Sequence, residues 1–79
     1  MLNKFTRALH GGFEQAEAAL LAHEALLIPG RAVRVYRGGN AGFVGVVLEG
    51  EAPIRRGVLV SDGGQTIPEE TKNLEIVTA

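Results

Sequence analysis

Glycine is distributed unevenly along this chain, and that distribution limits what the chain can fold into. Of the eleven glycines in 79 residues, only the adjacent pair Gly11-Gly12 precedes Pro29. The remaining nine follow it, as do all the valines. Glycine is costly inside a helix and useful at turns, bends and close backbone approaches. Residues 1–29 therefore read as an N-terminal helical segment, and residues 30–79 as short strands joined by turns. The length suits one small core and is too short for two domains.

In the first segment Leu2, Phe5, Leu9, Phe13, Ala16, Leu20, His23 and Leu27 recur at steps of three and four. That spacing places them on one face of an amphipathic helix, as a packing or partner face. Gly11-Gly12 predicts either a kink or a frayed first stretch, with a firm helix from Phe13 to Leu27. Pro29 stops it, because it lacks an N–H and restricts the residue before it. A helix over 13–27 spans about 22 Å, and one reaching back to Leu2 roughly 39 Å. The longer form overhangs a fifty-residue partner layer, so its first part is a candidate surface for a protein partner or for self-association as a homodimer.

After Gly30 the period shortens. Arg31–Arg37, Phe43–Glu49, Gly57–Ser61, Gln65–Ile67 and Leu74–Thr78 read as five strands. Gly38–Gly42 and Asp62-Gly63 supply the turns between neighbours. Pro68–Asn73 reads as a turn of helix or an irregular loop. Five short strands with tight connections suggest a mainly β fold, a small closed or half-closed barrel preceded by the helix.

The stretch Gly30–Val47 resembles the KOW motif of SH3-like barrels. The positions that carry the resemblance are Gly30, Val33, Val35, Gly38, Gly42, Gly45 and Val47. It implies a five-stranded SH3-like barrel over residues 30–79. In that family the barrel often sits in ribosomal proteins and transcription-elongation factors, where loops contact RNA or protein. Other SH3-like barrels of this size are accessory subunits of larger enzyme assemblies, including photosynthetic electron-transfer complexes. A weaker resemblance is to the type II dihydrofolate reductases, tetrameric barrels with one central active pore. Its basis is Gln65 and Ile67 in Gly64–Pro68, although the spacing differs from that family's late-strand run and no tyrosine follows.

Charge separates the function classes. Residues 1–29 carry -1, residues 30–48 carry +3 and residues 49–79 carry -3, giving the chain its net -1. Arg34, Tyr36, Arg37, Arg55 and Arg56 are the candidate interaction residues. Guanidinium groups beside a ring suit a protein partner or single-stranded nucleic acid. A backbone-dominated nucleic-acid binder carries a clearer positive excess, so protein contact is the expected use.

No catalytic constellation, metal set or cofactor motif emerges. There is no cysteine to serve as nucleophile or metal thiolate. His10 and His23 lie thirteen residues apart, which is not ligand spacing on one helix face. Ser61-Asp62 reads as turn chemistry, the glycines at 38–42 lack a phosphate loop's lysine, and adjacent Glu69 and Glu70 point apart. The reading is a non-enzymatic interaction module or accessory subunit, with KOW-like RNA binding as the alternative and an oligomeric small-barrel enzyme behind it. Neither a signal peptide nor a membrane span is evident, so the expected location is the cytoplasm without membrane insertion.

Overall fold

A computed structural model describes residues 13–78. Leu2, Phe5, Leu9, His10 and Gly11-Gly12 lie outside the described residues, as does the side chain of Phe13. The expectations of a kink and of an overhanging self-association surface fall there.

The elements are helix α1 (Phe13–Ala25) and strands β1 (Ala32–Val35), β2 (Val44–Leu48), β3 (Gly57–Ser61), β4 (Thr66–Glu70) and β5 (Leu74–Ile76). A 3₁₀ turn, Thr71–Asn73, joins β4 to β5. The α1 sequence FEQAEAALLAHEA is rich in alanine, leucine and glutamate, all good helix formers. It ends four residues before Pro29. Leu26 and Leu27 then donate their N–H groups to His23 and Glu24 carbonyls, the tighter i−3 pattern of a finishing turn.

The strands form one antiparallel sheet in the order β4-β3-β2-β1-β5. Val33 lies opposite Gly45 and Ile76, Val47 opposite Val60, and Val60 opposite Ile67. One sheet face thus collects Val33, Val35, Val47, Val60, Ile67 and Leu74, which with Leu27 from beyond α1 make the buried core. Phe43, Val58 and Ile76 pack against it. Burial of a valine- or leucine-sized side chain is worth about 1.5–3 kcal/mol, so these few residues account for most of the fold's cohesion. The opposite face presents Ala32, Arg34, Val44 and Val46 outward.

Two turns follow the glycine pattern. Between β1 and β2, Gly38 and Gly42 take φ of 90° and 101°, and Gly42 donates its N–H to the Val35 carbonyl. Between β3 and β4, Asp62 accepts at Oδ1 from the N–H groups of Gly64 (2.9 Å) and Gln65 (2.7 Å).

The sheet is open, which corrects the barrel expectation. β4 and β5 are its two edges, linked by the 3₁₀ turn but not by a ladder. The physical obstacle lies in β4. Asp62 donates to the Gln65 carbonyl across the turn, so ladder alternation turns the nitrogen of Pro68 away from β3. That nitrogen carries no hydrogen, and a ladder along that side of β4 would be interrupted there. Thr71 N–H is taken by the Arg56 carbonyl and Leu74 N–H by the Thr71 carbonyl, so neither serves a closing seam. Residues 30–47 do form a hairpin, but not the KOW-type SH3-like barrel their pattern resembles. The dihydrofolate reductase resemblance falls with it: there is no barrel to build a pore, Gln65 belongs to the β3–β4 turn and Ile67 is in the core.

Candidate functional site

The residues singled out from sequence fall in two places. Arg34 stands opposite Glu75 on β5 and forms an ion pair with it. Tyr36 donates its hydroxyl to the Lys72 carbonyl at 2.8 Å. Arg37 donates from Nε to Asn73 Oδ1 at 2.9 Å, and its guanidinium carbon lies 5.7 Å from the centre of the Tyr36 ring. Arg34 is on β1, and Tyr36 and Arg37 follow that strand directly and reach the 3₁₀ turn before β5. Arg55 and Arg56 precede β3 and line a different groove. Arg56 sits at φ 50°, an uncommon value for a side-chain-bearing residue. Its guanidinium reaches Glu24 Oε1 at 2.9 Å and Oε2 at 3.3 Å.

Of the helix stripe, Leu27 is buried, and Leu20 and His23 are half-buried, with His23 reaching Thr71 of the 3₁₀ turn. Leu21 and Leu26, off the stripe, stay half exposed. Leu20 lines two grooves, one on either side of its position.

The larger groove, about 580 Å³, runs between α1 and β5. Its apolar lining is Ala19 and Leu20 from the helix and Leu74 and Ile76 from the strand. Tyr36, Arg37 and Lys72 stand toward the 3₁₀ turn, and His23 and Glu75 complete the wall. The second groove, about 390 Å³, lies among Leu20, Ile54, Arg55, Arg56, Thr71 and Lys72.

A polar lock holds α1 in place between these grooves. His23 Nε2 donates to the Thr71 carbonyl at 3.0 Å. Thr71 Oγ1 donates to Glu24 Oε2 at 2.6 Å, beside the two bonds from Arg56. The Arg56 guanidinium, then the Thr71 hydroxyl, hold the Glu24 carboxyl below its ordinary value. Glu24 in turn raises Arg56. The Asp62 carboxyl is likewise lowered, by the N–H groups of Gly64 and Gln65.

Three members of the site escaped the sequence reading. Glu69 is buried, its Oε1 accepting from Asn40 Nδ2 at 3.1 Å and its Oε2 from Asn73 Nδ2 at 2.8 Å. The β4 alternation turns it inward while Glu70 faces water. Asn73 therefore bridges Arg37 and Glu69, and Thr71 anchors the helix. The one available signal was period two through Ile67 and Glu69, masked by Pro68.

Among the described residues no group of three histidine or acidic side chains is placed to hold a metal ion. No helix among them is long and apolar enough to cross a membrane. The chain matches no family model, no curated protein and no solved structure in the comparisons made.

Proposed function

We propose that the protein is an interaction module that engages another protein through the groove between α1 and β5. The observation that carries this reading is the groove's composition. An apolar strip of Ala19, Leu20 and Ile76 lies beside Tyr36 and Arg37, and interface centres are enriched in aromatic residues and arginine set in apolar surroundings. The internal use of the arginines points the same way. Arg34 and Arg56 are paired with carboxylates and Arg37 with an amide, which leaves little of the continuous basic track that backbone recognition of nucleic acid draws on.

Position-specific photocrosslinking tests this. A benzophenone side chain replaces Ala19, at the groove, in one variant and Thr66, on β4 away from it, in another. The expected result is a discrete protein adduct from position 19, competed by excess wild-type protein and absent from position 66. Adducts equal at both positions, or an adduct at 19 removed by nuclease, would count against protein engagement at this groove.

A further inference from the structure

One wall of this groove is backbone, and its hydrogen-bonding groups select an occupant. Among the described residues β5 pairs with β1 on one side only. Tyr36 N–H bonds to the Asn73 carbonyl, and Val77 N–H to the Ala32 carbonyl. Antiparallel ladders alternate, so residues 73, 75 and 77 face β1 while Leu74 and Ile76 turn their backbone groups outward. Leu74 N–H is used by the Thr71 carbonyl. The Leu74 carbonyl and both backbone groups of Ile76 remain on the open side. That is the donor and acceptor set an added strand requires.

The two sheet edges differ in how they are guarded. β4 carries Pro68, without an N–H, followed by Glu69 and Glu70, devices that discourage strand addition. β5 carries no proline, and its single charge, Glu75, is paired with Arg34. At the turn end of the same groove stand Arg37 and Lys72. Arg37 commits Nε to Asn73, and the rest of its guanidinium has no acceptor among the described residues. Among the described residues Lys72 has only an exposed pairing with Glu70 at 3.2 Å, which is worth little in water.

We propose that the occupant is an extended peptide segment that adds to the free edge of β5. Its alternate apolar side chains lie along Leu20 and Ile76, and an acidic residue at one end meets Arg37 and Lys72. This rests on the reading of the groove as a protein-contact site, and it fixes the partner's conformation and charge.

The test uses the full chain and a blocked hexapeptide, Glu-Glu-Val-Thr-Val-Thr. Companion peptides replace the two glutamates by lysines, or carry N-methyl groups on both valines or on both threonines. Titration calorimetry measures binding, and amide hydrogen exchange follows Ile76. The acidic peptide is expected to bind and to slow Ile76 exchange by about tenfold or more at saturation. The lysine peptide is expected to bind at least about fivefold more weakly. One of the two N-methylated forms should lose binding, because a paired strand presents alternate N–H groups to its neighbour. In Arg37→Glu the preference between acidic and lysine peptides should narrow or invert. Absence of binding, unchanged Ile76 exchange, or equal binding of all four peptides would overturn the proposal. A position-19 protein adduct obtained alongside that result would leave the groove a protein site with a different kind of occupant. Failure of both experiments would remove both readings.

Discussion

Gly45 shows how much one residue can fix in so small a sheet. Its role is space: a Cβ placed there would run into the Ser61 carbonyl and the backbone carbon beside it, on the adjoining strand. Neither backbone can yield without disturbing the β2–β3 ladder. Gly45→Ala is therefore expected to cost roughly 2–4 kcal/mol, read as a lowered urea midpoint with an unchanged slope. Gly39→Ala is the control, since its Cβ would meet nothing within 4 Å; it should stay within about 0.5 kcal/mol of wild type. Equal effects would mean that β2 and β3 can separate slightly at no cost. The sequence singles out Gly45 only through its place in the KOW-like pattern, and the Ser61 backbone that excludes a side chain there is supplied by the β2–β3 pairing. The buried Glu69 was not visible, because its partners Asn40 and Asn73 come from the β1–β2 loop and the 3₁₀ turn, and nothing local to Glu69 announces them.

At the level of elements, the strands were legible to the extent that hydrophobic alternation defines them. β3 occupies the expected residues 57–61, and β1 and β2 lie within their expected runs. β4 runs to Glu70, beyond the expected end at Ile67, because a proline on an open edge sacrifices no ladder bond. Closure was not legible. Whether the two edge strands, β4 and β5, meet depends on which backbone groups each turns outward, here set by Pro68 and the 3₁₀ turn, and period-two patterning says nothing about that. Pro68 should accordingly act as a guard. Pro68→Val supplies an N–H on the open side of β4 together with a residue that favours strands. Sedimentation velocity at increasing concentration is expected to show Pro68→Val associating where wild type does not. Identical sedimentation would mean that the charged residues after it suffice to protect the edge.

For the molecule as a whole, the decisive question is what keeps α1 beside the 3₁₀ turn, since the groove between α1 and β5 exists only while it stays there. Leu27 inserts beyond the helix end, but within α1 the described polar anchors are His23 and Glu24, both directed at Thr71, with Arg56 closing over Glu24. The folded Glu24 value lies below its ordinary 4.5. The carboxylate's contribution is thus complete above about pH 4.5 and is lost as pH falls through the lowered folded value. Wild-type thermal stability should decline across that acid window, with part of the decline coming from Asp62, which is lowered independently at the β3–β4 turn. Glu24→Gln should melt below wild type at pH 7 and fall less steeply in acid, so that the two curves converge there. The slope that remains belongs to Asp62, and a second variant, Asp62→Asn, should remove that part without altering the Thr71 amide shift that reports the lock. Parallel curves for wild type and Glu24→Gln would show that α1 is held by apolar contact alone. In that case the groove would persist in acid. If the lock holds the helix, peptide binding along β5 should weaken over the same pH interval in which the Thr71 amide moves.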